Sequence, residues 1–192
     1  MARPREFDTR QALENAMGVF WTKGYEAASL TDLIAAMGIS KSSLYETYGS
    51  KHELFLASIG LYSETMIGRL SGQLDAEVSA RRAIESLFAM FIDEALGSDP
   101  RGCLLGNCAS EVAARDPRAA ARIAEGMGKL EDVFHRTVVR GQGAGEIPDT
   151  HDARSLARYL TCIANGLRIM GKATPDRRAL NDMKRLALTA LD

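Results

Sequence analysis

The sequence predicts an all-α protein, a three-helix N-terminal unit followed by a helical bundle, with eight or nine helices in all. Three observations predict it. Apolar residues recur three and four apart along most of the chain, the spacing of one helix face. Ser, Thr or Asp precedes many of these stripes, twice with Pro next, and Gly follows several of them, which is how helices start and stop. No segment reads as a clear alternating strand.

The first helix is expected from residue 8 or 9 to about 23, with Ala12, Leu13, Ala16, Met17 and Phe20 as its core stripe and Gly24 as its stop. Gly18 inside it suggests close packing, and Trp21, the only Trp, is expected between this helix and its neighbours. Residues 29–52 then hold three helix starts and two tight breaks. Ser29 with Asp32 reads as a capped start, and Leu30, Leu33, Ile34 and Met37 share a face. Gly38 ends that helix, Ser40 caps a short one starting at Lys41, Gly49 stops it, and Ser50 with Glu53 forms a capping box for a third.

Two short helices joined by a Gly-containing turn make a helix-turn-helix, whose second helix lies in the DNA major groove with its early residues at base edges. Here that helix runs from residue 41 to about 48. Ile39, Leu44 and Tyr48 supply its buried side, leaving Lys41, Ser42, Ser43, Tyr45 and Thr47 outward. A capped helical hairpin with a solvated polar face would show the same pattern. The run Gly-Ile-Ser-Lys-Ser-Ser-Leu-Tyr-Glu-Thr-Tyr-Gly-Ser-Lys-His-Glu-Leu, preceded by Phe20, Gly24-Tyr25 and residues 29–33, resembles the DNA-binding domain of the TetR/AcrR family over roughly residues 6–62. The resemblance implies a homodimeric, one-component regulator, most often a repressor released from a near-palindromic operator by a small-molecule effector. Lys41, Ser42 and Ser43 would face bases, and Tyr45, Thr47, Lys51, Ser29 and Thr31 would face phosphates. A cation in a helix's first turn is disfavoured by the macrodipole alone, so Lys51 fits better with a phosphate nearby. The resemblance puts a Lys there on the DNA backbone. Arg3 and Arg5 flank Pro4 in an extended arm, read either as a minor-groove or phosphate contact or as a solvated tail.

This gives a DNA-binding domain over residues 1–50, a connecting helix over 51–70 and an effector-binding and dimerisation domain over 71–192. A break at 71–75 leads to a helix over about 76–96, then a turn cluster at 97–102 and a short helix over about 103–114. Asp116-Pro117 opens a helix to about 140, and after a loop at 141–148 another helix begins at 149 or 150. Thr174-Pro175 opens the last, and the final two long helices are apolar on more than one side, as an interface with a second copy requires.

At 192 residues, 46% hydrophobic and 26% charged, the chain reads as a soluble globular protein of one or two small domains. It has no apolar run long enough to span a membrane and no secretory leader. Three cysteines without paired spacing suit a reducing cytoplasm. A net charge of −1, with six cations against six anions in residues 1–52, disfavours a generic polyanion binder but not a geometric reader of one operator.

Other chemistry is sparse. The Gly-rich stretch 141–145 lacks the strand-turn-helix context of a phosphate cradle and reads as a loop. Glu131 and His135, one turn apart without a second pair, read as a surface ion pair rather than a metal site, and no cofactor is expected. No nucleophile-base set is apparent, so an all-α enzyme is a weak alternative, as is an interaction module without DNA binding. Cys103 and Cys108, five apart, would point to different sides of one helix. Gly102-Cys-Leu-Leu-Gly-Asn107 resembles a branch of the family in which some members sense electrophiles or oxidants through Cys. At a helix start the dipole lowers a thiol pKa, whereas two small buried apolar residues are the plainer reading. Met66, Phe88, Phe91, Met127 and Phe134 are candidate effector-lining residues, although such a stripe is more often plain core.

Overall fold

A computed structural model describes residues 7–98 and 101–192; Arg3 and Arg5 lie outside the described residues. Among the described residues there are nine α-helices, a closing 3-10 turn and no strand. The head comprises α1 (Thr9–Lys23), α2 (Leu30–Met37) and α3 (Lys41–Tyr48). The body comprises α4 (Lys51–Ala76), α5 (Ala80–Ala95), α6 (Leu104–Glu111), α7 (Pro117–Gly143), α8 (Ala153–Ala173) and α9 (Arg177–Leu188).

Local chemistry sets the ends of the head helices. The Asp8 carboxylate accepts the Arg10 and Gln11 amides at the start of α1. Ser29 and Asp32 form a reciprocal capping box at α2, and Gly38 takes the left-handed conformation at φ 66° that turns the chain towards α3. Ser50 accepts the Glu53 amide, but the Glu53 carboxylate turns away to Arg118, so the box expected at α4 forms only by half.

The connecting helix runs on through the expected break at 71–75 and ends at Ala76. Leu70 and Leu74 are buried in the body, and Arg140 donates to the Leu74 carbonyl at 2.8 Å. Tertiary packing here outweighs the low helix propensity of Gly68 and Gly72. Gly18 meets open space rather than a close neighbour, contrary to expectation.

The hydrophobic interior divides in two. The rear core joins Leu87, Phe88, Phe91, Phe134, Leu160 and Leu167 from α5, α7 and α8. The front core contains Phe20, Leu33, Leu44 and Phe55 from the head and the start of α4. It also takes in Cys103, Leu104, Leu105, Cys108 and Val112 from the α6 region, with Ala119 and Ile123 from α7. A segment remote in sequence therefore packs onto the head. Polar links reinforce it. Arg118 makes a two-pronged pair with Glu53 at 2.6 and 3.0 Å, and His52 Nε2 lies 2.6 Å from Asp116.

Candidate nucleic-acid interface and the cavity behind it

The face predicted to read DNA is open. Thr31, Lys41, Ser42 and Glu46 are exposed, and Tyr45 is 41% exposed, whereas Leu44 is fully buried and pins α3 to the head. Ser43 and Thr47 are half-buried. The Ser40 hydroxyl accepts the Ser43 amide at 3.1 Å and lies 2.8 and 2.9 Å from the Ser42 and Ser43 hydroxyls. These three hydroxyls form one small network at the helix start, each with lone pairs or a proton to offer outward. Tyr48 turns inward and donates to the Thr9 carbonyl at 3.1 Å, tying α3 to α1.

Ser29 stands at the exposed start of α2, but its hydroxyl donates to Asp32 at 2.7 Å. Lys23 lies 2.7 Å from the same carboxylate, and these two partners hold the Asp32 carboxyl down at about 2. Lys51 Nζ lies 4.6 Å from the Tyr25 ring centroid and 3.5 Å from the Glu26 carbonyl, at the α4 N-terminus. Ser29 makes the cap that the sequence predicts, which occupies the hydroxyl also expected at a phosphate, and Ser43, Thr47 and Lys51 are only partly exposed.

The α1–α2 connection is held from the body. The Glu111 carboxylate, at the end of α6, accepts the Tyr25 amide at 3.1 Å and the Glu26 amide at 3.0 Å. Gly24 precedes them at φ 81°, and a Cβ there would sit 2.6 Å from a Glu111 oxygen. Only Gly fits both the backbone and the space. Glu111 carried no sequence signal, because its partners are backbone amides more than eighty residues away.

Behind the head is a cavity of about 470 Å³, bounded by Met17 and Trp21 of α1, Tyr62 and Met66 of α4, Phe91 of α5 and Arg168 of α8. Of the five apolar effector candidates, Met66 and Phe91 line it. Phe88 and Phe134 instead pack together at 6.1 Å, fully buried in the rear core, and Met127 packs against the front core. These three follow the apolar periodicity because they build core. Trp21 meets Tyr62 edge-on at 4.9 Å, and the Arg101 guanidinium covers the Trp21 ring at 4.2 Å.

Cys103 is the N-cap of α6, just outside the first turn, and is buried. Cys108 is buried in the same front core, so the two do not point to different sides as expected. Burial, with Glu111 and Cys103 nearby, pushes the Cys108 thiol up to about 12, which makes it inert rather than activated. The Tyr62 hydroxyl sits beside the Cys103 thiol without meeting it in hydrogen-bond geometry. The exposed cysteine is Cys162 on α8, which sequence reading passed over. Glu131 pairs with Arg154 and Arg158, not His135, and no metal-binding cluster occurs among the described residues.

Comparison with known proteins agrees with this arrangement. Residues 12–58 match the model of bacterial regulatory proteins of the tetR family, and residues 80–187 match the tetracyclin repressor-like C-terminal domain. The HTH-type transcriptional regulator YezE of Bacillus subtilis is 36% identical, with both chains covered in full. The HTH-type transcriptional repressor ComR of Escherichia coli is 30% identical over 98% of this chain and 90% of its own. A cysteine mutant of the TetR family regulator CifR, solved with a 26-bp double-strand operator DNA, superposes with a TM-score of 0.87 at 31% identity, covering 99% of this chain and all of its own. With an exposed, capped recognition helix, a body packed onto the head and family matches along both halves, the chain belongs to the TetR family as a DNA-binding transcriptional regulator, and it is not an enzyme.

Proposed function

We propose that the protein is a homodimeric repressor that leaves a near-palindromic operator when a small molecule occupies the cavity behind the head. The observation that carries this reading is that α1 belongs to the DNA-reading head and also walls the cavity, through Met17 and Trp21. A ligand entering there pushes on the head directly. Glu111, His52 and Arg118 pass the same displacement through the α6–α7 corner. The volume suits a drug-sized molecule.

In this reading Lys41, Ser42 and Ser43 face bases, while Thr31, Tyr45, Thr47 and Lys51 contact phosphates, with the Ser29-capped α2 start offering backbone amides. Arg3 and Arg5 serve as an arm. Residues 1–50 act as the DNA-binding unit, 51–70 as the connection and 71–192 as the effector and dimer unit. Two heads would sit roughly 34–36 Å apart in successive major grooves. An exposed apolar face supports pairing. Tyr159, Ile169 and Met170 on α8 and Met183 and Leu186 on α9 are 37–60% exposed. Joining two such pairs of helices would make a four-helix interface. No helix among the described residues is long and apolar enough to cross a membrane.

A mobility shift with the DNA upstream of its own gene tests the reading. A retarded complex that a scrambled duplex does not compete away is expected, and equal affinity for both duplexes would refute operator recognition. A thiol-sensing variant of the same reading draws support from the buried Cys103 lying beside Tyr62, which lines the cavity. It predicts that a thiol-reactive compound releases the operator complex and that Cys103→Ser blocks release; release from that variant as readily as from wild type would reject it.

A further inference from the structure

We propose that the cavity takes a small amphipathic monoanion, a carboxylate on an aromatic or alkyl body, with its charged end on Arg168 and Tyr62. This deepens the effector reading above and rests on it.

Arg168 is 4% exposed, and a buried guanidinium needs a counter-charge. It lies over the Phe91 ring at 3.8 Å and near the Met66 sulfur at 3.7 Å, neither of which supplies one. Its carboxylate neighbour is Glu94 at 3.6 Å, and that carboxylate is already held by Arg69 at 2.7 Å. Among the described residues, Arg69 and Arg168 thus share one carboxylate at the cavity, and the buried Arg168 holds it at the longer distance.

Two further polar groups on the cavity wall make no well-formed hydrogen bond among the described residues. Tyr62 is 3% exposed, its hydroxyl near the Cys103 thiol and the Leu104 amide but in bonding geometry with neither, and the buried indole N–H of Trp21 has no partner there. A buried donor left unmade is costly, so such groups are paired in most proteins. Burial pushes the Tyr62 phenol up, which keeps it a neutral donor. Arg168 and Trp21 can only donate, and Tyr62 can donate a third bond. The complement of that set is an acceptor with negative charge. Met17, Met66, Phe91 and Ala95 supply apolar surface for the rest of the molecule. A cation would meet Arg168, and a neutral hydrocarbon would leave Tyr62 and Trp21 without an acceptor and Arg168 with only its shared carboxylate.

Trp21 is the only Trp, so intrinsic fluorescence of the full-length protein reports on this cavity. The probes are phenylacetate, phenylbutyrate and decanoate, each titrated against its primary amide. At least one carboxylate is expected to change the emission saturably and to bind at least about tenfold tighter than its amide, the margin of a charge-assisted bond. Arg168→Gln should weaken that binding by about 10–100-fold and Arg168→Lys by less. Tyr62→Phe keeps the ring and should weaken it about fivefold to tenfold, so the inference stays testable if Arg168→Gln fails to fold. Amides binding as well as carboxylates, no response to any carboxylate, or undiminished binding by Tyr62→Phe would each overturn it. A carboxylate that binds with the expected pattern yet leaves the operator complex intact would sink the effector reading and leave the ligand class standing. A neutral compound that fills the cavity and releases the operator would do the reverse.

Discussion

Asp32 holds three groups at once, the Ser29 amide, the Ser29 hydroxyl and the Lys23 ammonium. Its carboxyl is depressed from 3.8 to about 2. A carboxylate with a depressed folded-state pKa stabilises the fold above its ordinary value, and that contribution is lost as pH falls through the folded value. Asp32→Ala is therefore expected to lower the melting temperature by a few degrees at neutral pH. It should also flatten the loss of stability between about pH 4 and pH 2; a variant whose acid limb overlays the wild type would contradict the capping role. In the proposed reading two side chains on the outer face would divide the DNA work. Lys51→Ala should weaken binding to every sequence and reduce the salt slope by about one. Ser43→Ala should change sequence preference more than affinity for random DNA. Anisotropy titrations at several salt concentrations, on operator and scrambled duplexes, separate the two.

At the scale of elements, the joint between head and body is the α6–α7 corner. Gly24 at φ 81° faces the Glu111 carboxylate at a distance no Cβ tolerates. Gly24→Ala is expected to destabilise by about 1–3 kcal/mol, the usual cost of forcing a side chain into a glycine-only conformation. Glu111→Ala removes the obstacle along with two backbone hydrogen bonds, so the double variant should be less destabilised than the sum of the singles. Urea unfolding of the four proteins reads the coupling, and strict additivity would mean that the two positions do not touch in solution. The helix starts at Asp8, Ser29, Ser40 and Asp116 were open to sequence reading because a cap is a local event, whereas α8 starts at the Asp152 cap and not at 149 or 150 as expected. The run of α4 past residue 70 was not. Gly68, Ser71 and Gly72 weaken the local signal, and burial of Leu74 against a distant helix decides the outcome. The cavity was legible only in part for the same reason. Met66 and Phe91 stood in apolar stripes, but Trp21, Tyr62, Arg101 and Arg168 come from four separate segments that only the folded chain assembles.

At the scale of the whole molecule, a single chain has one head, and affinity for a two-fold operator comes from two. In the proposed dimer the exposed apolar residues of α8 and α9 would supply the surface for pairing, with Leu186 60% exposed in the isolated chain. Leu186→Glu is expected to halve the mass measured by light scattering and, by removing the second head, to weaken operator binding by about a hundredfold or more. A variant that stays dimeric would move the interface elsewhere. The measurement that tests the central claim most directly is hydroxyl-radical footprinting of the DNA upstream of the protein's own gene. Two protected half-sites about one helical turn apart are predicted, related by a two-fold axis and both lost in a variant with Lys41, Ser42 and Ser43 all changed to Ala. A single protected stretch, or protection that survives the loss of those three side chains, would contradict it.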